Sequence, residues 1–202
     1  MPPKPKFTRD EIVAAALELV RRDGIDALTA RSLADELGSS SRPIFTVFRD
    51  MDELKTAVRA AARERVLQLI EVAKGYRPAF KQFVIEAIRF ANEEPNLFHL
   101  VVLTPDGEVR TIEELCGYFD SYTESLFGML QHDYGITEDE ARVLLQHTWV
   151  YICGIGSMLT LHSAVATNDE LNQILGQAFT AMLDLIKSGR VNEQTPVPQR
   201  VE

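Results

Sequence analysis

Cysteine is almost missing from this chain. Only Cys116 and Cys153 occur in 202 residues, and both sit inside apolar helical patterns, not at the spacing of metal ligands or a redox pair. They read as buried reduced thiols, and neither a metal nor a cofactor is expected. Long apolar runs are missing too: none approaches the roughly 20 residues that cross a bilayer. The N-terminal MPPKPKF is basic, but a charged helix follows it instead of an apolar stretch. Neither a signal peptide nor a membrane anchor is therefore expected, and the expected location is cytoplasmic. No segment alternates polar and apolar residues with a period of two, and no hairpin signal is present, so the expected fold class is all-α. Catalytic patterns are equally scarce. There is no Ser, His and Asp arrangement at recognisable spacing, no glycine-rich phosphate loop and no His-x-x-x-His or Glu-x-x-His pair, so no enzyme is expected.

Positive charge is in short supply overall, with 21 Lys and Arg against 30 Asp and Glu. The deficit is uneven. Residues 1–60 hold ten basic and ten acidic groups, while residues 61–202 hold eleven and twenty. A neutral N-terminal part can still expose local positive charge to a polyanion, and an acidic body is screened beyond roughly 10 Å in physiological salt.

What is present is helix, in about nine pieces. Residues 1–7, with three prolines, read as a disordered arm, either a free tail or one that lays Lys4 and Lys6 on a phosphate backbone. Thr8 to Arg22 carries Ile12, Ala15, Ala16, Leu19 and Val20 at helical spacing behind a Thr8/Glu11 capping box, and Gly24 ends it. The stretch Thr29 to Leu54, TARSLADELGSSSRPIFTVFRDMDEL, is the one that the rest is arranged around. It reads as a short helix capped by Thr29, a turn at Gly38, a second short helix with Ile44, Phe45 and Phe48 behind and polar groups in front, and the start of a third. Such a helix-turn-helix presents its second helix to the major groove of DNA. Asp50 and Glu53 can cap a long helix that runs to about Lys74, about 35 Å at 1.5 Å per residue, as either a lever between domains or plain scaffold. Further helices are expected at Pro78 to Asn92, at about Val109 to Gln131 after a TPDGE turn, from a Thr137/Glu140 capping box to residue 164, and at 168–188. The expected domains are 8–53 for the helix-turn-helix and 54–188 for effector binding and dimerisation, with a disordered tail at 189–202.

The entry helix TRDEIVAAALELVRRDG, then LTARSLADELG, then SSSRPIFTVFRDMDEL together resemble the DNA-binding domain of the TetR family of one-component bacterial transcription regulators. That resemblance covers about 47 residues at the family's spacing. It implies a dimer that binds a pseudo-palindromic double-stranded DNA operator, acts as a repressor and is released by a small hydrophobic or amphipathic effector. Trp149 with Cys153 and Gly154 is similar to the Trp and His-Gly pattern of a subset of the family's effector domains, with Cys in place of His. Departures fall in the recognition segment. Phe45 stands where Tyr is usual and leaves a ring that can only pack, Val47 stands for a frequent His, and Met51 for a Lys that contacts phosphate.

The expected DNA contacts are Thr29, Arg31, Ser40, Ser41, Arg42, Pro43, Phe45, Thr46 and Arg49. Arg31 and Arg42 are the candidates for bidentate contacts to guanine, and the hydroxyls with Arg49 for phosphate positioning. The candidate effector pocket draws on Phe83, Ile88, Phe98, His99, Leu103, Cys116, Phe119, Tyr122, His147, Trp149 and Tyr151, each of which is core if it is not pocket. The candidate dimer interface is Val150, Gly154, Met158, Leu161, Leu171, Ile174, Leu175, Ala178 and Met182, the alternative being an interior hairpin of a monomer. Gly154, Gly156 and Gly176 each cost about 1 kcal/mol of helix propensity, which points to close backbone approach. The competing function is a protein-interaction module that uses the small helices without an operator of its own.

Overall fold

A computed structural model describes residues 6–103, 111, 121–161 and 163–191. Among them there are eight α-helices and no strand. Helix α1, Arg9–Asp23, starts at the expected capping box: Glu11 N–H donates to Thr8 Oγ1 at 3.2 Å, and Thr8 N–H to Glu11 Oε2 at 2.7 Å. It buries Ile12, Ala16, Leu19 and Val20 and stops at Gly24, whose φ of 84° few other residues would adopt. Helix α2, Ala30–Glu36, is capped by Thr29, with Ser32 as the reciprocal partner.

The expected second helix of the pair is not an α-helix. Residues Ile44–Thr46 form one turn of 3-10 helix. Ile44 N–H bonds Ser41 O at 3.1 Å, Thr46 N–H bonds Pro43 O at 3.2 Å, and Phe48 N–H closes the turn on Ile44 O at 2.9 Å. Pro43 limits this element on its N-terminal side: without an amide hydrogen it cannot bond the carbonyl four residues back, so the serines before it are not drawn into the helix.

Helix α3, Met51–Ala73, runs through the domain boundary expected at residue 54. Asp50 caps it through Glu53 N–H at 2.8 Å, but Glu53 turns back to Arg49 N–H at 2.8 Å and to Arg9, so the box is shifted by one residue. Helix α4, Ala79–Glu93, follows Pro78, which stands at the N-cap with no side chain to offer. Asp133 takes over that role from a distant helix, its Oδ2 accepting from Phe80 N–H at 3.0 Å. After α5, Pro95–Phe98, a π-helical turn spans His99–Leu103. Helix α6 is described over Ser121–Tyr134, and the expected TPDGE turn and first part of this helix lie outside the described residues. Helix α7, Glu138–Thr160, has the expected Thr137/Glu140 box. Helix α8, Asn168–Lys187, has a Thr167/Glu170 box that was legible as T-x-x-E but not anticipated.

Helices α3, α4, α6 and α7 pack around Phe80, Phe83, Ile88, Phe98, Leu144 and Ile152. The N-terminal unit is tied to this body at the C-terminal end of α1. Asn96 Nδ2 donates to the carbonyls of Arg21 (3.1 Å) and Arg22 (3.2 Å), and Arg21 Nε lies 2.8 and 2.6 Å from the two Glu94 oxygens. Arg59 Nη1 likewise ties α3 to Leu100 O at 3.0 Å.

Candidate nucleic-acid interface

The recognition segment is positioned by what it buries. Ile44 and Phe48, four residues apart, are 0% and 1% exposed and join Leu33 and Ala34 of α2 in one apolar cluster. Gly38 (φ 57°) turns the chain between the two elements, with Ser39 N–H on Ala34 O at 2.9 Å and Gly38 N–H on Asp35 O at 3.1 Å. That pairing is a Schellman motif, which satisfies the last carbonyls of α2 and fixes the angle of the next turn.

The burial of Ile44 and Phe48 then decides what faces out. Thr29, Arg31, Ser40, Arg42, Phe45, Thr46 and Arg49 are exposed, and Ser41 and Pro43 are half-buried. Phe45 is 46% exposed and does not join the apolar cluster behind the turn. In a 3-10 turn successive side chains lie about 120° apart, so with Ile44 inward Phe45 and Thr46 both face out. Thr29 Oγ1 is engaged by Ser32 N–H at 3.1 Å, and Thr46 Oγ1 donates to Pro43 O at 2.6 Å, so both hydroxyls also hold local structure.

The three arginines are not equivalent. Arg31 and Arg42 make no hydrogen bond or ion pair with a described residue. Arg49 is 81% exposed but its Nε sits 2.8 Å from Asp50 Oδ2, which raises its pKa further above the usual guanidinium value. Asp50 itself is held below its ordinary value, first by Glu53 N–H and then by Arg49. A phosphate would have to compete with Asp50 for Arg49, whereas it would meet Arg31 and Arg42 without a rival. Lys6 Nζ lies 3.0 Å from Ser39 Oγ, at the start of the same segment.

The described residues of the expected effector set fall in different surroundings. Phe83, Ile88, Phe98 and Trp149 are core, His99 and Leu103 are half-buried at the two ends of the π-turn, and His147 and Tyr151 face outward on α7. Cys116 and Phe119 lie outside the described residues, as does the side chain of Tyr122. A cavity of about 300 Å³ opens instead between α4, the end of α6 and α8, against Lys81, Val84, Ile85, Tyr134, Phe179 and Leu183 among others. None of the expected residues lines it. Sequence reasoning missed it because its walls come from three helices that are distant in the chain, and each wall residue looks like ordinary core or surface on its own helix.

The dimer candidates divide. His147, Val150, Tyr151, Gly154, Met158 and Leu161 form an exposed stripe on α7, and Ile174 and Leu185 continue it on α8 beside the half-buried Ala178 and Met182. Leu171 and Leu175 are 4% exposed within the chain itself, so they are core and not available to a partner. Among the described residues no cluster of His, Cys, Asp and Glu is arranged to hold a metal, and no helix is long and apolar enough to cross a membrane.

The family model described as "Bacterial regulatory proteins, tetR family" matches residues 12–58. An HTH-type transcriptional regulator of Saccharopolyspora erythraea is 30% identical over 92 residues, covering 46% of this chain and 39% of that relative. The HTH-type nicotine-responsive transcriptional repressor HdnoR of Paenarthrobacter nicotinovorans is 34% identical over 62 residues, 31% of this chain and 30% of the repressor. The matched stretches thus span well under half the length of these relatives. Among solved structures, a protein described as a tetR-family transcriptional regulator from Mesorhizobium loti aligns with a TM-score of 0.65 at 18% identity, over 88% of this chain and 95% of its own. A protein described as a transcriptional regulator from Pseudomonas aeruginosa gives 0.63 at 18% identity, over 91% and 93%. Both likenesses carry the fold beyond the segment that the family model matches.

Proposed function

From membership of the tetR family of bacterial regulatory proteins, to which this chain belongs through residues 12–58, we propose that it is a homodimeric, DNA-binding transcriptional repressor released by a small hydrophobic or amphipathic effector. The observation that carries the reading is the outward face of the recognition turn. Arg42, free of any described partner, stands with Phe45 on a segment that Ile44 and Phe48 anchor in the core, and Arg31, equally free, stands on the exposed face of α2 just before it. A guanidinium without an internal partner can take guanine O6 and N7 together, and an exposed ring can meet a thymine methyl group. The apolar stripe of α7 and α8 supports a symmetric pairing that sets two such turns one DNA turn, or a multiple of it, apart. Ligand and DNA then oppose each other through the spacing of the two turns, and each must weaken the other by the same factor.

The test is a fluorescence-anisotropy titration of the chain against the DNA upstream of its own gene, at two salt concentrations. Binding is expected to weaken steeply with salt. Arg42→Ala is expected to cost about 1–3 kcal/mol and to relax base preference at one position in each half-site. Equal affinity of Arg42→Ala and the natural chain would refute the assignment.

A further inference from the structure

We propose that the cavity between α4, α6 and α8 is a binding site for a small amphipathic anion, a carboxylate or sulfonate carried on an aromatic or aliphatic body. Its volume of about 300 Å³ sits at the lower end of small-molecule sites. The floor is apolar and aromatic. Phe179 stacks on Phe80 with ring centres 5.7 Å apart and meets Tyr134 at 5.1 Å, so a ring or chain entering the cavity finds a preformed wall.

The polar groups give the sign of the ligand. Lys81, Tyr134, Asn172 and Thr180 line the cavity, and among the described residues no Asp or Glu does, although acids outnumber bases in the chain by 30 to 21. None of the four side chains makes a hydrogen bond or ion pair with a described residue. Thr180 is informative here, because Thr56, Thr148 and Thr160 spend their hydroxyls on the carbonyl four residues back, and Thr180 does not. Burial pushes the Tyr134 phenol up to about 12, with Asp133 adding to the shift, so it stays a neutral donor near neutral pH. One ammonium and several unspent donors over an apolar floor suit an anionic head on an apolar tail.

Gly176 points the same way. A Cβ built there meets no heavy atom within 4 Å, so no neighbour in the chain requires glycine, and its effect is to widen the cavity at a cost in helix propensity. The consequence for DNA rests on the regulatory reading above. Helix α8 forms one wall of the cavity and carries Ile174 and Leu185 of the proposed dimer stripe on another face, so an occupant would shift that stripe.

The test uses the full chain and two probes that share an anilinonaphthalene body, 8-anilinonaphthalene-1-sulfonate and the uncharged N-phenyl-1-naphthylamine. Fluorescence titration is expected to show one sulfonate probe per chain. Lys81→Gln is expected to weaken the sulfonate about fivefold, the scale of a solvent-accessible ion pair, and to leave the uncharged probe unchanged. Gly176→Leu fills the space and is expected to abolish both. Should that variant fail to fold by circular dichroism, Thr180→Trp closes the same rim from an exposed position. Unchanged sulfonate affinity in Lys81→Gln, or unchanged binding of both probes in a folded filling variant, overturns the site. Displacement of DNA is scored separately: Lys81-dependent probe binding without any effect on DNA upholds the site and removes only its regulatory consequence.

Discussion

Gly154 and Gly156 are two residues apart in one helix and look alike in sequence, yet their surroundings differ completely. A Cβ at Gly156 would stand 2.1 Å from Phe98 Cε1, while a Cβ at Gly154 would meet nothing within 4 Å. The close approach expected at both, and at Gly176, is real within the chain only at Gly156, where the helix lies against the Phe98 ring. Gly156→Ala is expected to destabilise the fold by about 1–3 kcal/mol through overpacking, and Gly154→Ala to raise helix stability by up to about 1 kcal/mol. Urea unfolding of both variants checks this, and the same sign for the two would contradict the packing argument. The arginines teach a similar lesson. Arg31 and Arg42 were candidates for base edges and Arg49 for phosphate, and only the structure shows that Asp50 already holds Arg49.

At the scale of elements, side-chain caps carried most of the information. Five Thr or Asp residues start α1, α2, α3, α7 and α8 where an oxygen can accept from the first turn. Helix α4 has no such residue, and it borrows Asp133 from α6, a contact that no local pattern announces. The α7 stripe belongs to this scale as well. Val150, Tyr151, Met158 and Leu161, the last 73% exposed, recur at helical spacing on the side away from the core, and water alone does not favour that arrangement. Met158→Glu places two carboxylates in the proposed interface of a symmetric pair and is expected to raise the dimer dissociation constant at least tenfold, about 1.4 kcal/mol. Sedimentation across a concentration series reads this directly; a variant that sediments as the natural chain does would remove α7 from the interface.

For the molecule as a whole, the capping carboxylates add up to a pH dependence. Glu11, Glu140 and Glu170 are held below the ordinary 4.5 by the backbone and hydroxyl of their Thr partners. Glu53 is held below 4.5 by Arg49 N–H and then Arg9, and Asp50 below 3.8 by Glu53 N–H and then Arg49. Each group releases its proton more readily folded than unfolded. The stability it contributes is therefore full above the unfolded value and is lost as pH falls through the folded one. The urea midpoint is expected to hold from neutral pH down to about 5 and to fall progressively below it. A midpoint unchanged down to pH 3 would be incompatible with carboxylate caps at these helix starts.

The sequence by itself determined the helical class and most helix boundaries. Those depend on periodicity and on capping partners three residues apart, and both are local. Tertiary structure decided the rest. It placed Leu171 and Leu175 in the core and opened a cavity against Lys81, Tyr134 and Phe179. Each of these depends on which helix comes to lie against which, and contacts between residues tens of positions apart leave no periodic trace in the chain.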